Sequence, residues 1–335
     1  MARVSSSFGK NLRLRDLYQA PTIEKLANLL RQQEPSLPCT SLIPIQPNGS
    51  KPPFFWVHGD YSYAVLHRYL DPDQPLYGLN HQSEDGKPAL YTSVEDIAGY
   101  YLKEMRTVQS VGPYFLGGYS FGGTLAYELA QQLKRQGEEV ALLFLLDPRF
   151  PSDELLDSDD LLRSDSVRDE PHRHFRNLAL LGRREKFTYL RMRVTGIMKG
   201  KIDEMRAKIS KILGKIICNG YLLIGHPIPI SLRSSYILDI YSQARQNYVP
   251  VPYSGRATYI KSEKRSDAHR LKWNKLFVEG MDLYEIPGDH VDLTQEHYVS
   301  VWAEHLKSCL RMAQTIKSAA RDTEMPERLN VTRDL

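Results

Sequence analysis

Ser120 lies in a short glycine-rich pattern that can present a serine hydroxyl as a nucleophile. Residues 118–122 read Gly-Tyr-Ser-Phe-Gly, the pattern G-x-S-x-G. An aromatic and apolar run, Tyr114 to Leu116, precedes it. Leucines at helical spacing follow it, at Leu125, Leu129 and Leu133. A sharp turn between a strand and a helix needs glycines two residues either side of the serine, because larger side chains would collide. The sequence therefore predicts that Ser120 is held in a strained, exposed conformation at the start of a helix.

An acid and a base that could activate this serine follow it along the chain. Asp147 stands at the end of an unbroken apolar run, Val140 to Leu146, which is typical of a parallel strand buried on both faces. His290 lies in a glycine-containing loop directly after a predicted strand at residues 283–286. Open α/β sheets collect their functional residues at the carboxyl ends of the strands. We therefore predict that Ser120, Asp147 and His290 meet at one edge of a sheet.

The residues alone leave two alternatives open at this edge. Asp147 could cap the element that follows it instead of acting as an acid. His58 follows the predicted strand Phe54 to Val57 and could be a second base. We interpret His58 as a structural imidazole, because His290 is better placed for catalysis.

Composition narrows the class of protein. The chain has 335 residues, of which 41% are hydrophobic and 25% are charged, as in ordinary soluble globular proteins. A net charge of +4 without interleaved aromatic and basic residues argues against a nucleic-acid partner. The three cysteines (Cys39, Cys218 and Cys309) have no metal-binding spacing and suit a reducing compartment. We find no apolar signal core at the N-terminus and no apolar run long enough to cross a bilayer, so we expect a cytoplasmic protein without a membrane partner.

Patterns along the chain predict four regions. Residues 1–34 form a small helical piece in which Thr22 caps a helix. Residues 35–52 are a proline-rich linker that includes a first edge strand. Residues 53–312 alternate predicted strands and helices, as in an α/β domain. Residues 313–335 form a charged tail without apolar periodicity, which we expect to be poorly ordered.

Two finer expectations concern the start of the sheet and a helical insertion. The edge strand Leu42 to Ile45 is expected to turn at Asn48-Gly49 and pair with Phe54 to Val57. From about 151 to 233, charged clusters and helical periodicity replace the alternation, which predicts a helical lid over the site. One amphipathic helix in this insertion has an apolar face formed by Ile202, Met205, Ile209, Ile212, Leu213 and Ile216. Basic residues lie largely off that face, at Lys201, Arg206, Lys208, Lys211 and Lys215.

These motifs together resemble the terminal thioesterase domains of nonribosomal peptide and polyketide synthases, which are α/β-hydrolases. The resemblance covers about residues 40–312. It rests on His58-Gly59, Arg68 to Asp71, Gly112 to Ala126, Leu145 to Asp147, and Gly288 to His290. It implies a mostly parallel central sheet flanked by helices, with a helical lid. Many α/β-hydrolases place the acid after a later strand, where Glu263 or Asp267 stands here, but this family places it where Asp147 stands.

The resemblance also implies the roles of the site residues. Ser120, Asp147 and His290 would form the catalytic triad, and the backbone N–H groups of Phe121 and Asp60 would form the oxyanion hole. No cofactor or metal is implied, because the substrate arrives on the phosphopantetheine of a carrier domain. Residues 1–34 resemble the C-terminal part of an acyl or peptidyl carrier domain, and the motif that bears phosphopantetheine in that family is not in this sequence.

The expected function is therefore that of a serine thioesterase. It would release an acyl or peptidyl chain from a carrier through an acyl-serine intermediate, by hydrolysis or by macrocyclisation. The basic side of the insertion would be either a solvated face or a docking surface for an acidic carrier domain. Two other functions stay open: a stand-alone proofreading thioesterase that clears misloaded carriers, and a catalytically inactive carrier-binding module.

Overall fold

Seven strands form one sheet in the computed structural model, which describes residues 22–31, 41–58, 65–82, 86–151 and 183–324. The strands are β1 Leu42–Gln46, β2 Phe54–Val57, β3 Leu76–Leu79, β4 Tyr114–Tyr119, β5 Val140–Leu146, β6 Ala257–Ser262 and β7 Met281–Ile286. Their order across the sheet is β1-β3-β2-β4-β5-β6-β7. Strand β1 runs antiparallel to β3, and the other described pairs are parallel. The expected mostly parallel sheet is confirmed.

Helices connect the strands. They are α1 Ile23–Arg31, α2 Val94–Met105, α3 Phe121–Arg135, α4 Arg183–Leu223, α5 Ile230–Asn247, α6 Asp267–Asn274 and α7 Glu296–Glu324, with a 3-10 turn at Asp292–Thr294. The predicted cap of the first helix is confirmed, since the Thr22 hydroxyl accepts a hydrogen bond from the N–H of Lys25. The rest of the carrier-like region at 1–34 lies outside the described residues.

The core forms where α7 packs against the sheet. Trp56 of β2 and Trp302 of α7 stack with ring centroids 5.2 Å apart, and Phe144 of β5 lies against both rings. Helices α2 and α3 pack against each other, and α3 also packs against β2, β4 and β5. Strands β2 to β7 that carry the site run in the same direction, so their carboxyl ends lie at one edge of the sheet. The helices packed on the sheet hold these strands in place.

The expected hairpin between β1 and β2 is wrong. Strand β1 pairs with β3 instead, and β2 lies in the sheet between β3 and β4. All four residues of β2 are buried, as expected of a strand that is covered on both faces. The chain after β1 is held by Asp73, whose carboxylate accepts hydrogen bonds from the N–H and the hydroxyl of Ser50. Because Ser50 is tied to the segment before β3, the Asn48-Gly49 turn does not close a tight hairpin.

The expected loss of order after Met312 is also wrong for the next twelve residues. Helix α7 continues to Glu324. Ala313 packs against the core, and the side-chain amide of Gln314 donates a hydrogen bond to the Gln74 Oε1, 2.7 Å away. These tertiary contacts tie the start of this extension to the rest of the protein, although its sequence has lost its apolar repeat. Residues 325–335 lie outside the described part of the chain.

The chain divides into two units. The first comprises Met1–Glu84, Ala89–Ser152 and Gln243–Leu335 and contains the sheet. The second comprises Asp85–Pro88 and Asp153–Ser242 and contains α4. The second unit overlaps the predicted lid at 151–233, and the placement of that lid over the site stays a prediction.

Helix α4 confirms the helix predicted in the second unit, but the residues of its predicted apolar face are exposed to solvent. Ile209, Ile212 and Ile216 are 51%, 60% and 61% exposed. On the basic side, Lys211 and Lys215 form ion pairs with Asp239 of α5, at 3.1 and 3.5 Å. Within the described residues, no helix has the length and apolar character needed to cross a bilayer.

Candidate active site

The turn between β4 and α3 places Ser120 at the edge of the sheet. Ser120 has a φ of 56°, and its N–H donates to the carbonyl of Leu146 in the neighbouring strand. Gly118 and Gly122 are required for close packing rather than for their dihedrals. A Cβ on Gly118 would overlap the backbone of Gly122, and a Cβ on Gly122 would overlap the carbonyl oxygen of Val57. The predicted role of these glycines is confirmed.

Backbone strain marks the same edge on three strands. His58, Ser120 and Asp147 follow β2, β4 and β5, and they are the non-glycine residues with positive φ in the described chain, at 57°, 56° and 43°. Non-glycine residues adopt this region at a cost of about 1–3 kcal/mol each. Such strain persists where the surrounding packing enforces it, and it is concentrated at functional sites.

The three residues predicted to act together lie in hydrogen-bond contact. The Nε2 of His290 is 2.9 Å from the Ser120 Oγ, and its Nδ1 is 2.7 Å from the Asp147 Oδ2. A carboxylate can only accept, so the Nδ1 carries the hydrogen and the Nε2 is left as the acceptor for the serine hydroxyl. This tautomer is the one that general-base catalysis requires.

Asp147 is fully buried and is held on both oxygens. Its Oδ2 also accepts from the Ser262 hydroxyl at 2.9 Å, and its Oδ1 accepts from the Ser262 N–H at 3.3 Å. The Nε of Arg265 forms an ion-pair contact with Oδ1 at 2.8 Å. Burial raises the pKa of Asp147, but the hydrogen bond from His290 and the charge of Arg265 outweigh it and lower the pKa to about 2. Asp147 is therefore ionised at neutral pH.

His290 is held on its other sides by Tyr119 and Arg265. The Tyr119 ring stacks on the imidazole with centroids 4.8 Å apart, and its hydroxyl donates to the His290 carbonyl at 2.6 Å. Burial lowers the pKa of His290, and the charge of Asp147 opposes this while the charges of Arg265 and Arg149 add to it. The net direction is downward, so the imidazole is neutral and able to accept a proton at neutral pH.

The alternative acids lie elsewhere. Asp267 is 68% exposed on its side chain and pairs with Lys261 and Arg270. Glu263 is exposed after β6. The structure thus brings Asp147, and not these two residues, against His290. The Asp147 side chain contacts Ser262 of β6 and the His290 imidazole, so Asp147 does more than cap the element that follows it.

His58 occupies a structural position, as the sequence predicted. It is 3% exposed, and its Nε2 is 2.8 Å from the Tyr101 hydroxyl. That hydroxyl donates to the carbonyl of Asn80, so the His58 Nε2–H donates to Tyr101. Burial, together with the neighbouring His81, holds the pKa of His58 well below its usual range.

Of the two predicted oxyanion donors, Phe121 lies in the described part of the chain and Asp60 does not. Phe121 is the first residue of α3, where helical N–H groups point out of the N-terminus and the helix dipole favours negative charge. Asp60 lies outside the described residues, so its role stays a prediction. In the described part of the chain, no cluster of three or more His, Cys, Asp or Glu side chains has a metal-binding arrangement.

Two arginines at the site were missed by the sequence analysis. Arg265 contacts Asp147 and places its Nη2 2.8 Å from the His290 Nδ1. Arg149 places its Nε 3.0 Å from the Ser120 Oγ. Arg149 stands two residues after the predicted acid, which placed its backbone near the site but did not predict what its side chain contacts. Arg265 lies in a loop after β6 and had none.

Comparison with known proteins relates part of this sequence to a known family. Residues 56–192 match a family model described as a thioesterase domain. Malpinin synthetase of Mortierella alpina is 41% identical over 155 residues, which is 44% of this chain and 2% of that protein. A dimodular nonribosomal peptide synthase of Bacillus subtilis strain 168 is 38% identical over 151 residues, 44% of this chain and 6% of that protein. Residues 56–192 are therefore similar to a thioesterase domain of the nonribosomal peptide synthetase type.

Solved structures extend the likeness to the fold. A four-domain nonribosomal peptide synthetase bound to AMP and glycine aligns over 91% of this chain and 23% of its own, with a TM-score of 0.56 and 22% identity. The NocB thioesterase domain, in covalent complex with a fluorophosphonate nocardicin G analogue, aligns over 81% of this chain and 100% of its own, with a TM-score of 0.52 and 18% identity. The TM-scores support the α/β-hydrolase fold, and at these identities the likeness concerns the fold alone. The chain spans only a few per cent of the two curated synthetases named above.

Proposed function

We propose that this protein releases an acyl or peptidyl chain from the phosphopantetheine thiol of a carrier domain through an acyl-serine intermediate. The observation that carries the proposal is the chain of hydrogen bonds from the Ser120 Oγ through His290 to Asp147. A serine, a neutral imidazole and a buried carboxylate in this order form the arrangement that activates a hydroxyl for attack on an acyl group.

In the first half of the reaction, the Ser120 Oγ attacks the thioester carbonyl. The hydroxyl proton passes to the His290 Nε2, and Asp147 stabilises the resulting imidazolium through the Nδ1–H. The carbonyl π electrons move to the oxygen, which accepts hydrogen bonds from the N–H of Phe121 and from a second donor assigned to Asp60. The C–S bond then breaks, and the leaving thiolate takes the proton from the His290 Nε2, which returns the imidazole to its neutral form. Because the parent thiol has a pKa of about 8.5, the thiolate leaves with little assistance from an acid.

In the second half, the acyl-serine ester is cleaved. Water activated by His290 releases a free acid, whereas a hydroxyl or amine of the same acyl chain releases a ring. The same triad serves both outcomes, because in each the imidazole removes a proton from the attacking group and returns one to the Ser120 oxygen.

Similarity to synthetases supports a carrier domain as the partner. The curated relatives are synthetases, and thioester intermediates in such assemblies are covalently attached to carrier domains. The resemblance of residues 1–34 to the end of a carrier domain favours a releasing role over a stand-alone proofreading enzyme. A decayed carrier-binding module is disfavoured because the serine, the base and the acid are all present and in contact.

Covalent labelling tests the proposal directly. A fluorophosphonate probe should add one equivalent of mass to the wild-type protein, mapped by peptide mass spectrometry to Ser120. The Ser120→Ala variant should lose this labelling and the cleavage of acyl thioesters. Ser300→Ala, which removes an exposed hydroxyl on α7, is the matched control and should behave as wild type. Labelling of Ser120→Ala at the full rate would assign the nucleophile to another residue.

A further inference from the structure

The guanidinium of Arg149 lies against the atom that the proposed function makes the nucleophile. Its Nε–H donates to the Ser120 Oγ at 3.0 Å. The triad mechanism needs a base and an acid around this oxygen but assigns no role to a cation there. A cation so placed affects the same reaction, so the inference below rests on the proposed function.

The backbone of Arg149 is fixed to the turn that carries Ser120. The Arg149 N–H donates to the Ser120 carbonyl at 3.1 Å, and the Thr124 hydroxyl donates to the Arg149 carbonyl at 2.6 Å. Between Asp147 and Arg149, the ring of Pro148 packs so close to Gly123 that a Cβ there would lie 2.7 Å from the proline Cβ. These contacts belong to the backbone and to Pro148. A change of the Arg149 side chain therefore leaves the anchoring groups in place.

Hydrogen-bond accounting at the Ser120 Oγ gives Arg149 a directional role. A hydroxyl has one hydrogen to donate and two lone pairs. A guanidinium has no acceptor, so the hydroxyl hydrogen cannot point at Arg149. The arginine occupies one lone pair, the hydrogen points to the His290 Nε2 at 2.9 Å, and the second lone pair is left for attack.

Distance decides which charge of the reaction Arg149 influences most. Attack moves negative charge away from the serine oxygen toward the carbonyl oxygen and places positive charge on the imidazole. Arg265 lies 2.8 Å from the His290 Nδ1 and so opposes the positive charge. Arg149 lies next to the Ser120 Oγ, where electron density builds as the proton leaves. Burial lowers the pKa of Arg149 to about 10, which keeps it charged at neutral pH.

We propose that Arg149 is a catalytic residue whose guanidinium directs the Ser120 hydroxyl toward His290 and stabilises the negative charge on Oγ during proton transfer. No proton leaves the arginine. The hydroxyl hydrogen goes to the His290 Nε2, and the freed electron pair forms the C–O bond. The hydrogen bond from the Arg149 Nε–H strengthens as negative charge builds on Oγ.

The test compares Arg149→Gln, which removes the charge, with Arg149→Lys, which keeps it. The rate constant for fluorophosphonate labelling of Ser120 and the kcat/KM for a small acyl thioester are measured from pH 5 to 9. Arg149→Gln should lower both by roughly 10- to 100-fold, the scale of one lost hydrogen bond to a charged group. Arg149→Lys should recover a part of that loss. Arg256→Gln, which removes an exposed arginine paired with Asp282, is the matched control and should behave as wild type.

The pH profile separates catalysis from a structural role. The groups facing His290 are Asp147, Arg265, Tyr119 and Arg149, and the charge of Arg149 lowers the imidazole pKa. The acidic limb of kcat/KM should therefore move to higher pH in Arg149→Gln and stay near the wild-type position in Arg149→Lys.

Several outcomes overturn the proposal. Wild-type rates and an unshifted limb in Arg149→Gln would do so. So would equal defects and equal limbs in both variants, because charge would then be irrelevant. If Arg149→Gln fails to fold by circular dichroism, Arg149→Lys decides alone: a labelling rate at or above that of wild type refutes the directional role, and a reduced rate with an unshifted limb supports it. Failure of the wild-type protein to label at Ser120 would refute the proposed function instead, so the two failures are distinguishable.

Discussion

Replacing Asp147 with asparagine keeps the shape of the side chain but changes one oxygen into an NH₂ group. We expect kcat for thioester cleavage to fall by about 10⁴-fold, the loss known for the same change in serine proteases. That factor corresponds to about 5.4 kcal/mol in the activation free energy. The structure explains why the loss should be this large.

The new NH₂ group must face one of two sets of partners. Toward Oδ1 it would meet the Arg265 Nε and the Ser262 N–H, which are both donors. Toward Oδ2 it meets the Ser262 hydroxyl, which can rotate to accept, and the His290 Nδ1. The second orientation is favoured. It forces the imidazole to carry its hydrogen on Nε2, where it can no longer accept the serine proton. The positive charge of Arg265, 2.8 Å from Nδ1, then also favours the tautomer without a hydrogen on that atom.

The effect on stability should be smaller than the effect on rate. Asp147 has a pKa of about 2 against an ordinary value of 3.8, so the folded state favours its charged form by about 2 kcal/mol. Because the folded pKa is the lower one, this stabilisation is complete above about pH 4 and is lost as pH falls through 2. Asp147→Asn should lower the unfolding free energy by about this amount at pH 7 and remain folded at 25 °C.

The assay pairs steady-state thioester cleavage with urea unfolding of the same preparations. Glu263→Gln and Asp267→Asn serve as controls, since both side chains are exposed. They should retain activity within about twofold of wild type. A kcat for Asp147→Asn within tenfold of wild type, or a larger loss in either control, would refute the assignment of the acid.

Three further predictions concern the base, the turn and the second unit. Since burial and two arginines lower the pKa of His290 against the pull of its carboxylate, kcat/KM should reach half its maximum below pH 6.5, and a midpoint at pH 7 or above would contradict this. Gly122→Ala should abolish labelling and sharply lower the thermal midpoint, because its Cβ overlaps a backbone carbonyl of β2, whereas Gly214→Ala in α4 has open space and should stabilise by up to about 1 kcal/mol. If α4 docks an acidic carrier, Lys201→Glu with Lys208→Glu should slow cleavage of a carrier-bound acyl group at low salt but spare the same acyl group on a small thiol, and equal effects on both substrates would make these lysines a solvated face.

Much of the fold could be predicted because its signals are local. The run Val140–Leu146 is apolar at every position, so both of its faces need to be buried, which identifies a central parallel strand. The glycines around Ser120 predict a sharp turn, since few other residues fit there. These two signals also fix the chain order of the serine and the acid. The proximity of His290 then follows from parallel strands ending at one edge.

Pairing between distant segments was beyond the sequence. Nothing local distinguishes a partner for β1 among the apolar strands, and contacts of Ser50 with Asp73 exclude the nearby hairpin. Likewise, where α7 continues past the end of its apolar repeat, Gln314 forms a hydrogen bond with Gln74, which is distant in the sequence.

The electrostatic setting of the site was decided by tertiary structure for the same reason. The sequence determined that a serine, an acid and a histidine stand at the ends of strands, because turn geometry and burial on both faces are properties of a few adjacent residues. It could not determine that Arg149 would contact Ser120 or that Arg265 would contact Asp147 and His290. An arginine side chain is long and flexible, so its partner is set by the surfaces that packing brings within its reach.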